Sequence, residues 1–254
     1  MTLRTLALAL VAALACGLSV AHAAELRVLS AGAVEPGLRP ALTAFEKASG
    51  HTVQLSFATA PQIRERVAAG AAAFDVVIAP PAVLDELEAA ARIANDRTQR
   101  VTIGRVGLGV AVRPGAPRPD IATPEAFKRA LVEADSLVFN RASTGLYVET
   151  LLKRLGVDAQ GKSTRYPDGA SVMVHVLHGQ GREIGLGAIT EILLVRDQGL
   201  QFVGPLPPEL QNHTTYVAAP VRADAAPAAH ALLRHLASAP VQAMFADAGI
   251  EAAR

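Results

Sequence analysis

The amino-acid sequence predicts an α/β fold arranged as two lobes, and three observations support this prediction. Strand and helix patterns alternate three times between residues 25 and 90, which is typical of a parallel sheet covered by helices on both faces. A long strand pattern beginning at Arg105 is suited to pass from one lobe to the next. Hydrophobic residues make up 51% of the chain and aromatic residues only 4%, which favours close packing of helices on a sheet.

The first lobe is predicted to contain three strand–helix units. Its strands fall at residues 26–30, 53–57 and 75–79, where apolar residues cluster or alternate with polar ones. The first helix has an apolar stripe with helical spacing and stops at Gly50; the stripe consists of Leu38, Ala41, Leu42 and Phe45. In open parallel sheets ligands bind outside the carboxyl ends of the strands, so the loops after these strands are candidate binding loops.

The second half of the chain repeats the strand–helix order. Thr123 is placed to cap a helix, a strand at 137–139 leads into a loop and another helix, and Ser171 is placed to cap a short helix. Tyr216 starts a strand that returns to the first lobe, and two C-terminal helices follow. We therefore predict lobe I at residues 24–104 and 213–254 and lobe II at residues 105–212.

The N-terminus has the pattern of a secretory signal peptide. Arg4 precedes an apolar run from Leu6 to Val20, and Ala21-His22-Ala23 fits a cleavage site, so residues 1–23 are predicted to be removed on export to the periplasm. A less favoured alternative is a lipoprotein anchored at Cys16, because Ala13 stands where that signal usually has Leu.

Composition excludes several classes of function. Loss of Arg4 with the signal leaves basic and acidic residues in equal number, and the basic ones are scattered, so a nucleic-acid partner is not expected. Cys16 is the single cysteine of the chain, which closes thiol routes to catalysis in a mature protein. We expect no cofactor and no metal.

Two apparent motifs are rejected on context. Residues 156–163 match the P-loop pattern, but they follow a helix rather than a strand, which favours a surface turn. His175 and His178 share one helix face but have no third ligand near in sequence, so a polar helix surface is favoured over a metal site.

The starts of several helices are the candidate ligand-binding elements. Helix N-termini present unpaired N–H groups and partial positive charge, which together bind anions. The candidate residues at these starts are Gly32, Ala33, Thr59, Ala60, Ser143, Thr144 and Val172. Arg141 is a candidate bidentate clamp for a carboxylate or an oxyanion. Taken singly, each of these residues is more typical of an ordinary helix cap or a solvated loop than of a binding site.

Ten short segments follow one another in a recognisable order along nearly the whole mature chain: residues 26–33, 45–50, 53–58, 63–70, 74–78, 144–147, 151–156, 184–187, 240–245 and 249–250. This order resembles the molybdate-binding group of periplasmic solute-binding proteins of ABC importers. It implies a type II periplasmic binding fold, with the ligand cleft between two lobes. It also implies capture of a small anion by hinge closure and delivery to a membrane permease and ATPase, by a monomer without catalytic activity.

The sequence departs from that group at the oxyanion-binding positions. Where the family has two serine hydroxyls and a tyrosine hydroxyl, this chain has Ala33, Ala60 and Ala188. Each hydrogen bond lost to a charged ligand weakens binding by roughly 1.5–3 kcal/mol, so we expect a larger organic anion, such as a carboxylate, to compete with molybdate or tungstate as ligand.

Two other functions were weighed against transport. A periplasmic ligand sensor would use the same fold and pass its closed form to a receptor. A secreted hydrolase would need a base such as His213 beside Thr214 and Thr215, and it is the least favoured because no activated nucleophile is recognisable.

Overall fold

A computed structural model describes residues 23–253 of the chain. Cys16 and all of the predicted signal peptide except Ala23 lie outside the described residues. No helix in the described part is long and apolar enough to cross a bilayer.

Strands and helices alternate through most of the described chain. The strands are β1 (Glu25–Ala31), β2 (Thr52–Ala58), β3 (Val76–Ala79), β4 (Val101–Val112), β5 (Ser136–Asn140), β6 (Ser163–Tyr166), β7 (Glu183–Ala188), β8 (Gln201–Pro205) and β9 (His213–Pro220). The helices are α1 (Glu35–Ser49), α2 (Ala60–Gly70), α3 (Pro81–Ala89), α4 (Pro124–Glu133), α5 (Ser143–Leu155), α6 (Gly169–Leu177), α7 (Ile189–Val195), α8 (Pro227–Leu236) and α9 (Ala239–Asp247).

The strands form a sheet in the order β2-β1-β3-β9-β4-β7-β5-β6, with β8 paired to β4. Parallel pairs are β1 with β2 and β3, and β5 with β6 and β7. Strand β4 joins these two blocks, since residues 101–107 pair with β9 and residues 108–112 pair with β7 and β8. The predicted two-lobed α/β fold is confirmed, whereas the lobe boundaries at 105 and 213 stay a prediction.

Separate hydrophobic cores lie on the two parts of the sheet. One core joins β1, β2, β3 and β9 to α1, α2, α3, α8 and α9. The other part of the sheet is packed by two clusters, one centred on Phe127 and Phe139 and one on Met173 and Ile192. Each parallel block thus has its own helices, and the carboxyl ends of both blocks are left to form a site.

The start of α6 differs from the prediction. The helix begins at Gly169 rather than after Ser171, and the Asp168 carboxylate is the cap, accepting a hydrogen bond from the Ser171 backbone N–H at 2.8 Å. Asp is as good an N-cap as Ser, and here the sequence contains both within three residues, so local pattern alone did not decide between them.

Candidate functional site

A cavity of about 390 Å³, here called the cleft cavity, lies at the carboxyl ends of the parallel strands. Segments that follow β1, β2, β3, β5, β6 and β7 all contribute to its wall. The volume lies in the range of roughly 300–1,000 Å³ that is usual for small-molecule sites. The sheet therefore places a ligand-sized space where open α/β sheets bind their ligands.

Most of the sequence-predicted site residues come together in this wall. The predicted residues that line the cleft cavity are Gly32, Ala33, Thr59, Ala60, Ser143 and Thr144. Their segments are the starts of α1, α2 and α5, which lie far apart in sequence. The start of α6 also lines the cavity, through Ala170 and Ser171.

Three predicted residues lie outside the wall of the cleft cavity. Arg141 is exposed. Val172 is fully buried, and its backbone N–H is bonded to the Asp168 carbonyl oxygen at 3.4 Å. Ala188 is buried at the end of β7. Ligand contacts by these three residues stay predictions.

Asn140, which the sequence analysis did not single out, shapes the loop before α5. Its buried side chain accepts hydrogen bonds through Oδ1 from the backbone N–H groups of Ala142, at 3.1 Å, and Gly145, at 2.9 Å. A side chain at Gly145 would overlap the Asn140 carbonyl group. Because the loop is tied down in this way, the Ser143 and Thr144 segment is held against the cavity.

Thr59 and Gln62 organise the start of α2 in the same wall. The Thr59 backbone N–H donates to Gln62 Oε1 at 3.0 Å, which is one half of a capping box. Both residues line the cleft cavity. The sequence analysis identified Thr59 as a helix start but missed its partner.

Glu191, in the first turn of α7, is a candidate functional residue that the sequence analysis missed. Its Oε2 atom is buried and has no hydrogen-bond partner in the structure. The carboxylate packs on the backbone of Gly169, where any side chain would overlap it, and its Oε1 would lie 3.7 Å from a methyl group built on Gly32. A buried, unpartnered carboxyl group at a cavity wall is a recognised sign of a functional site.

The surroundings of Glu191 favour its protonated form. Burial raises the pKa of Glu191 to about 7, and the negative charges of Asp168 and Glu35 add to the increase, although a backbone N–H bond at Ala188 opposes it. The other two carboxylates of the wall have partners, since Glu35 pairs with Arg39 at 2.6 Å and Asp168 caps α6. Within residues 23–253, no lysine, arginine or histidine side chain lines the cleft cavity.

Tyr216, on β9, completes the wall beside Glu191. It is almost fully buried and lines the cleft cavity. Burial and the neighbouring Glu191 charge raise the pKa of the Tyr216 hydroxyl above its usual range, so this group stays protonated. The wall thus combines a carboxyl group that changes its protonation state near neutral pH with a phenol that does not.

The motifs rejected from the sequence have structural roles. Lys162, from the P-loop-like segment, donates from Nζ to the carbonyl oxygens of Leu131 and Val132, each at 2.9 Å, and so caps the end of α4. The segment leads into a strand, β6, and not into a helix. No group of three or more histidine, cysteine or acidic side chains in the described chain is arranged to hold a metal ion.

The residues weighed for a hydrolase do not meet in the cleft. His213 lies 3.5 Å from the Glu251 carboxylate through its Nε2 atom, at the junction of β9 with the C-terminal segment. His213, Thr214 and Thr215 are outside the cleft cavity wall. The geometry therefore gives no support to that alternative.

Comparison with known proteins identifies the family. Residues 26–251 match the family described as bacterial extracellular solute-binding proteins. The chain belongs to this family. The fold also resembles the periplasmic molybdate-binding protein of Azotobacter vinelandii, with a TM-score of 0.73 and 17% identity over 90% of this chain and all of that one. A tungstate ABC transporter structure from Geobacter sulfurreducens gives a TM-score of 0.65 at 16% identity, covering 88% and 98% of the two chains.

A curated relative corrects one expectation. An aconitate isomerase from a Pseudomonas species is 34% identical over 237 residues, which cover 89% of this chain and 87% of that protein. The expectation that the chain has no catalytic activity is contradicted by this relative, which has the name of an enzyme. An activated nucleophile has a recognisable sequence motif, but a lone carboxyl group that moves a proton has none, so an enzyme of that second kind is not recognisable from its sequence.

Proposed function

We propose that this extracellular solute-binding protein is an isomerase of an unsaturated polycarboxylate of the aconitate type, with Glu191 as the group that moves the proton. The observation that carries the proposal is the Glu191 carboxyl group, which is buried, unpartnered at Oε2 and set in the wall of the cleft cavity. The similarity to an aconitate isomerase supports the choice of substrate class.

The reaction needs a single mobile proton and no cofactor. Aconitate has one carbon–carbon double bond, with a methylene group beside it that also carries a carboxylate. Glu191 as a carboxylate accepts a proton from the methylene carbon, and the electron pair left behind is delocalised over three carbons. Return of the proton to the far carbon shifts the double bond and regenerates aconitate, with either the cis or the trans arrangement. Every atom of the substrate is retained.

Glu191 is suited to this role by its pKa. A general base works best when its pKa lies near the operating pH, because it is then both ionised often enough and basic enough. A pKa of about 7, caused chiefly by burial, meets this condition. The unpartnered Oε2 atom has a free lone pair for the substrate proton, since no protein donor occupies it.

The substrate carboxylates are assigned to the helix starts on the other sides of the cavity. The segments at Gly32, Thr59, Ser143 and Ser171 line the cavity and offer backbone N–H groups or hydroxyls. Ala33 and Ala60 replace the hydroxyls that cage a small oxyanion in the molybdate-binding group, which leaves room for a larger anion. Arg141 adds positive charge near the start of α5 from its exposed position.

The test is a direct assay of isomerisation. The mature protein is incubated with cis-aconitate, and the trans isomer is followed by proton NMR. Glu191→Gln is expected to lower kcat by roughly 10²–10⁴-fold, the usual contribution of a positioned acid–base group. Glu65→Gln is the matched control, because Glu65 is exposed on α2 and is expected to leave kcat unchanged. Full activity of Glu191→Gln would exclude Glu191 as the base.

A second proposed function is favoured by membership of the solute-binding family. In it, the exported protein captures an organic anion in the periplasm by hinge closure and delivers it to an ABC permease and ATPase. A thermal-shift screen with aconitate, molybdate and tungstate checks it, because a ligand that binds the native state raises the melting temperature. Binding of aconitate by the wild-type protein, without isomerisation, would favour capture over catalysis.

A further inference from the structure

The residue next to Glu191 makes an unusual long-range contact. Thr190 is fully buried, and its hydroxyl donates a hydrogen bond to the Ala33 carbonyl oxygen at 2.6 Å. Ala33 lies in the turn between β1 and α1, 157 positions earlier in the chain. The contact therefore ties the start of α7 to the block of strands on the other side of the cleft.

Helix α7 packs on both parts of the protein. Ile192 and Val195 belong to the cluster of the β5–β6–β7 side. Ala33 and Ala188, by contrast, belong to the core of the β1–β2–β3 side. Leu193 reaches that side as well, because a methyl group added at Gly249 would lie 3.3 Å from the Leu193 side chain. Seven residues of helix thus connect two cores across the cleft.

This connection decides where the Glu191 carboxylate lies. The groups around it come from both sides of the cleft. Gly169 packs on it from the start of α6, and Gly32 approaches it from the β1–α1 segment. The charges of Asp168 and Glu35 act on it from the same two segments, and Tyr216 of β9 lines the same cavity. If α7 moved away from the β1–α1 turn, Gly32 and Glu35 would separate from the carboxylate, and water would enter. Burial is the largest cause of the raised pKa of Glu191, so its loss would return that pKa towards the usual range.

We propose that Thr190 is a positioning residue that couples cleft closure to the placement of the catalytic base. Its hydrogen bond to Ala33 forms when the two sides of the cleft meet, and it holds α7 so that Glu191 is buried against Gly32 and Gly169. This inference rests on the proposed function of Glu191. It goes further, because it states that the pKa of Glu191 is raised only when the cleft is closed.

The experiment uses Thr190→Val, which keeps the shape of the side chain and removes the hydroxyl. We expect kcat for aconitate isomerisation to fall about tenfold, a cost typical of misplacing a catalytic group by a fraction of an ångström, with a smaller change in KM. The acidic limb of the pH–rate profile is expected to move to lower pH. Thr190→Ser restores the hydroxyl, and we expect it to recover the wild-type kcat and the wild-type position of the acidic limb.

A control and an independent readout keep the inference falsifiable. Thr43→Val also removes a threonine hydroxyl bonded to a carbonyl, that of Arg39, but on the exposed side of α1, so it is expected to change nothing. An independent readout is the titration of Glu191, followed by NMR of ¹³C-labelled glutamate. The Glu191 signal is the one that is lost in Glu191→Gln. The pH at the midpoint of its titration is expected to be lower in Thr190→Val than in the wild-type protein.

The two possible failures are distinguishable. If Glu191→Gln abolishes isomerisation but Thr190→Val keeps the wild-type kcat, pH profile and NMR midpoint, then the positioning role is wrong and the proposed function stands. If no variant isomerises aconitate but the NMR midpoint of Glu191 still falls in Thr190→Val, then the substrate assignment is wrong and the coupling stands.

Discussion

Strand β7 has a buried glutamate near each end, and the two differ in their partners. Glu183, at the start of the strand, accepts a hydrogen bond from the Ser136 hydroxyl at 2.6 Å and faces His175 Nε2 at 3.1 Å, both on Oε2. Glu191, three residues beyond the end of the strand, has no partner on its own Oε2. Each glutamate has one buried oxygen without a partner, Oε1 in Glu183 and Oε2 in Glu191. Glu183 is held by two side-chain partners, whereas Glu191 is bonded by the backbone N–H of Ala188.

The difference favours a structural role for Glu183 and agrees with the reactive role proposed for Glu191. His175 is itself fixed by the Tyr166 hydroxyl, 2.6 Å from Nδ1, so the Glu183 cluster ties β5, β6, β7 and α6 together. Glu191 sits in the cleft cavity with two other carboxylates and no cation in the wall. A buried charge without donors costs free energy, and such a cost is typical of sites where protonation is part of the function.

Among the variants that keep the Glu191 side chain, the largest effect on kcat is expected when the space that its carboxylate occupies is removed. Gly169→Ala places a methyl group where the Glu191 carboxylate lies, so the carboxylate must move. We expect kcat for isomerisation to fall by on the order of 10²-fold, because proton transfer depends steeply on position. Gly70→Ala is the control, since a methyl group there meets no atom within 4 Å. Equal kcat values for the two variants would mean that the carboxylate is not fixed by Gly169.

The next effect is on the pH dependence of stability. The folded-state pKa of Glu191 is raised from 4.5 to about 7, so between these values the folded protein holds a proton that the unfolded chain releases. Stability is therefore lost as pH rises through this window. At pH 8, Glu191→Gln is expected to be more stable than wild type by about 2 kcal/mol, a value reduced from the full shift because part of the Glu191 side chain is exposed although its Oε2 atom is buried.

Chemical denaturation at pH 4 and pH 8 measures this difference. At pH 4 the two proteins are expected to have the same free energy of unfolding, because Glu191 is protonated in both states. If the free energies of unfolding of the two proteins differ by the same amount at pH 4 and pH 8, the ionisation of Glu191 is not the cause of that difference.

At the other end of β7, the substitution of the glutamate is expected to lower stability instead of raising it. Glu183→Gln replaces a charged acceptor by a neutral amide, which weakens the bonds to Ser136 and His175. Hydrogen bonds to charged groups are stronger than neutral ones, so we expect a destabilisation of about 1–2 kcal/mol in urea unfolding at pH 8. Isomerase kcat is expected to stay unchanged, and a loss of kcat equal to that of Glu191→Gln would end the distinction between the two carboxylates.

The smallest effect is expected at Arg141, which is exposed and outside the cavity wall. Exposed charges contribute little to binding, so Arg141→Ala is expected to weaken aconitate binding by no more than about fivefold in calorimetric titration. A loss of a hundredfold or more would support the direct clamp that the sequence suggested.

The parallel blocks and many of the loops of the cleft could be predicted because their signals are local. Apolar periodicity marked α1, with Leu38 and Phe45 on one face, and the rule that ligands bind at the carboxyl ends of strands led to Thr59 and Ser143. The same rule applied to β7 leads to the segment that contains Glu191, whereas the family resemblance indicates Ala188 alone.

The sequence by itself determined the α/β class, the helix starts that surround the cleft and the family resemblance, since each depends on residues close together in the chain. Tertiary structure alone decided the character of Glu191. Its surroundings include the backbone of Gly32 and Gly169 and the charges of Glu35 and Asp168, which lie as many as 159 positions away in the chain. The pKa of a carboxyl group depends on the water and charge around it, and these are set by packing between distant segments.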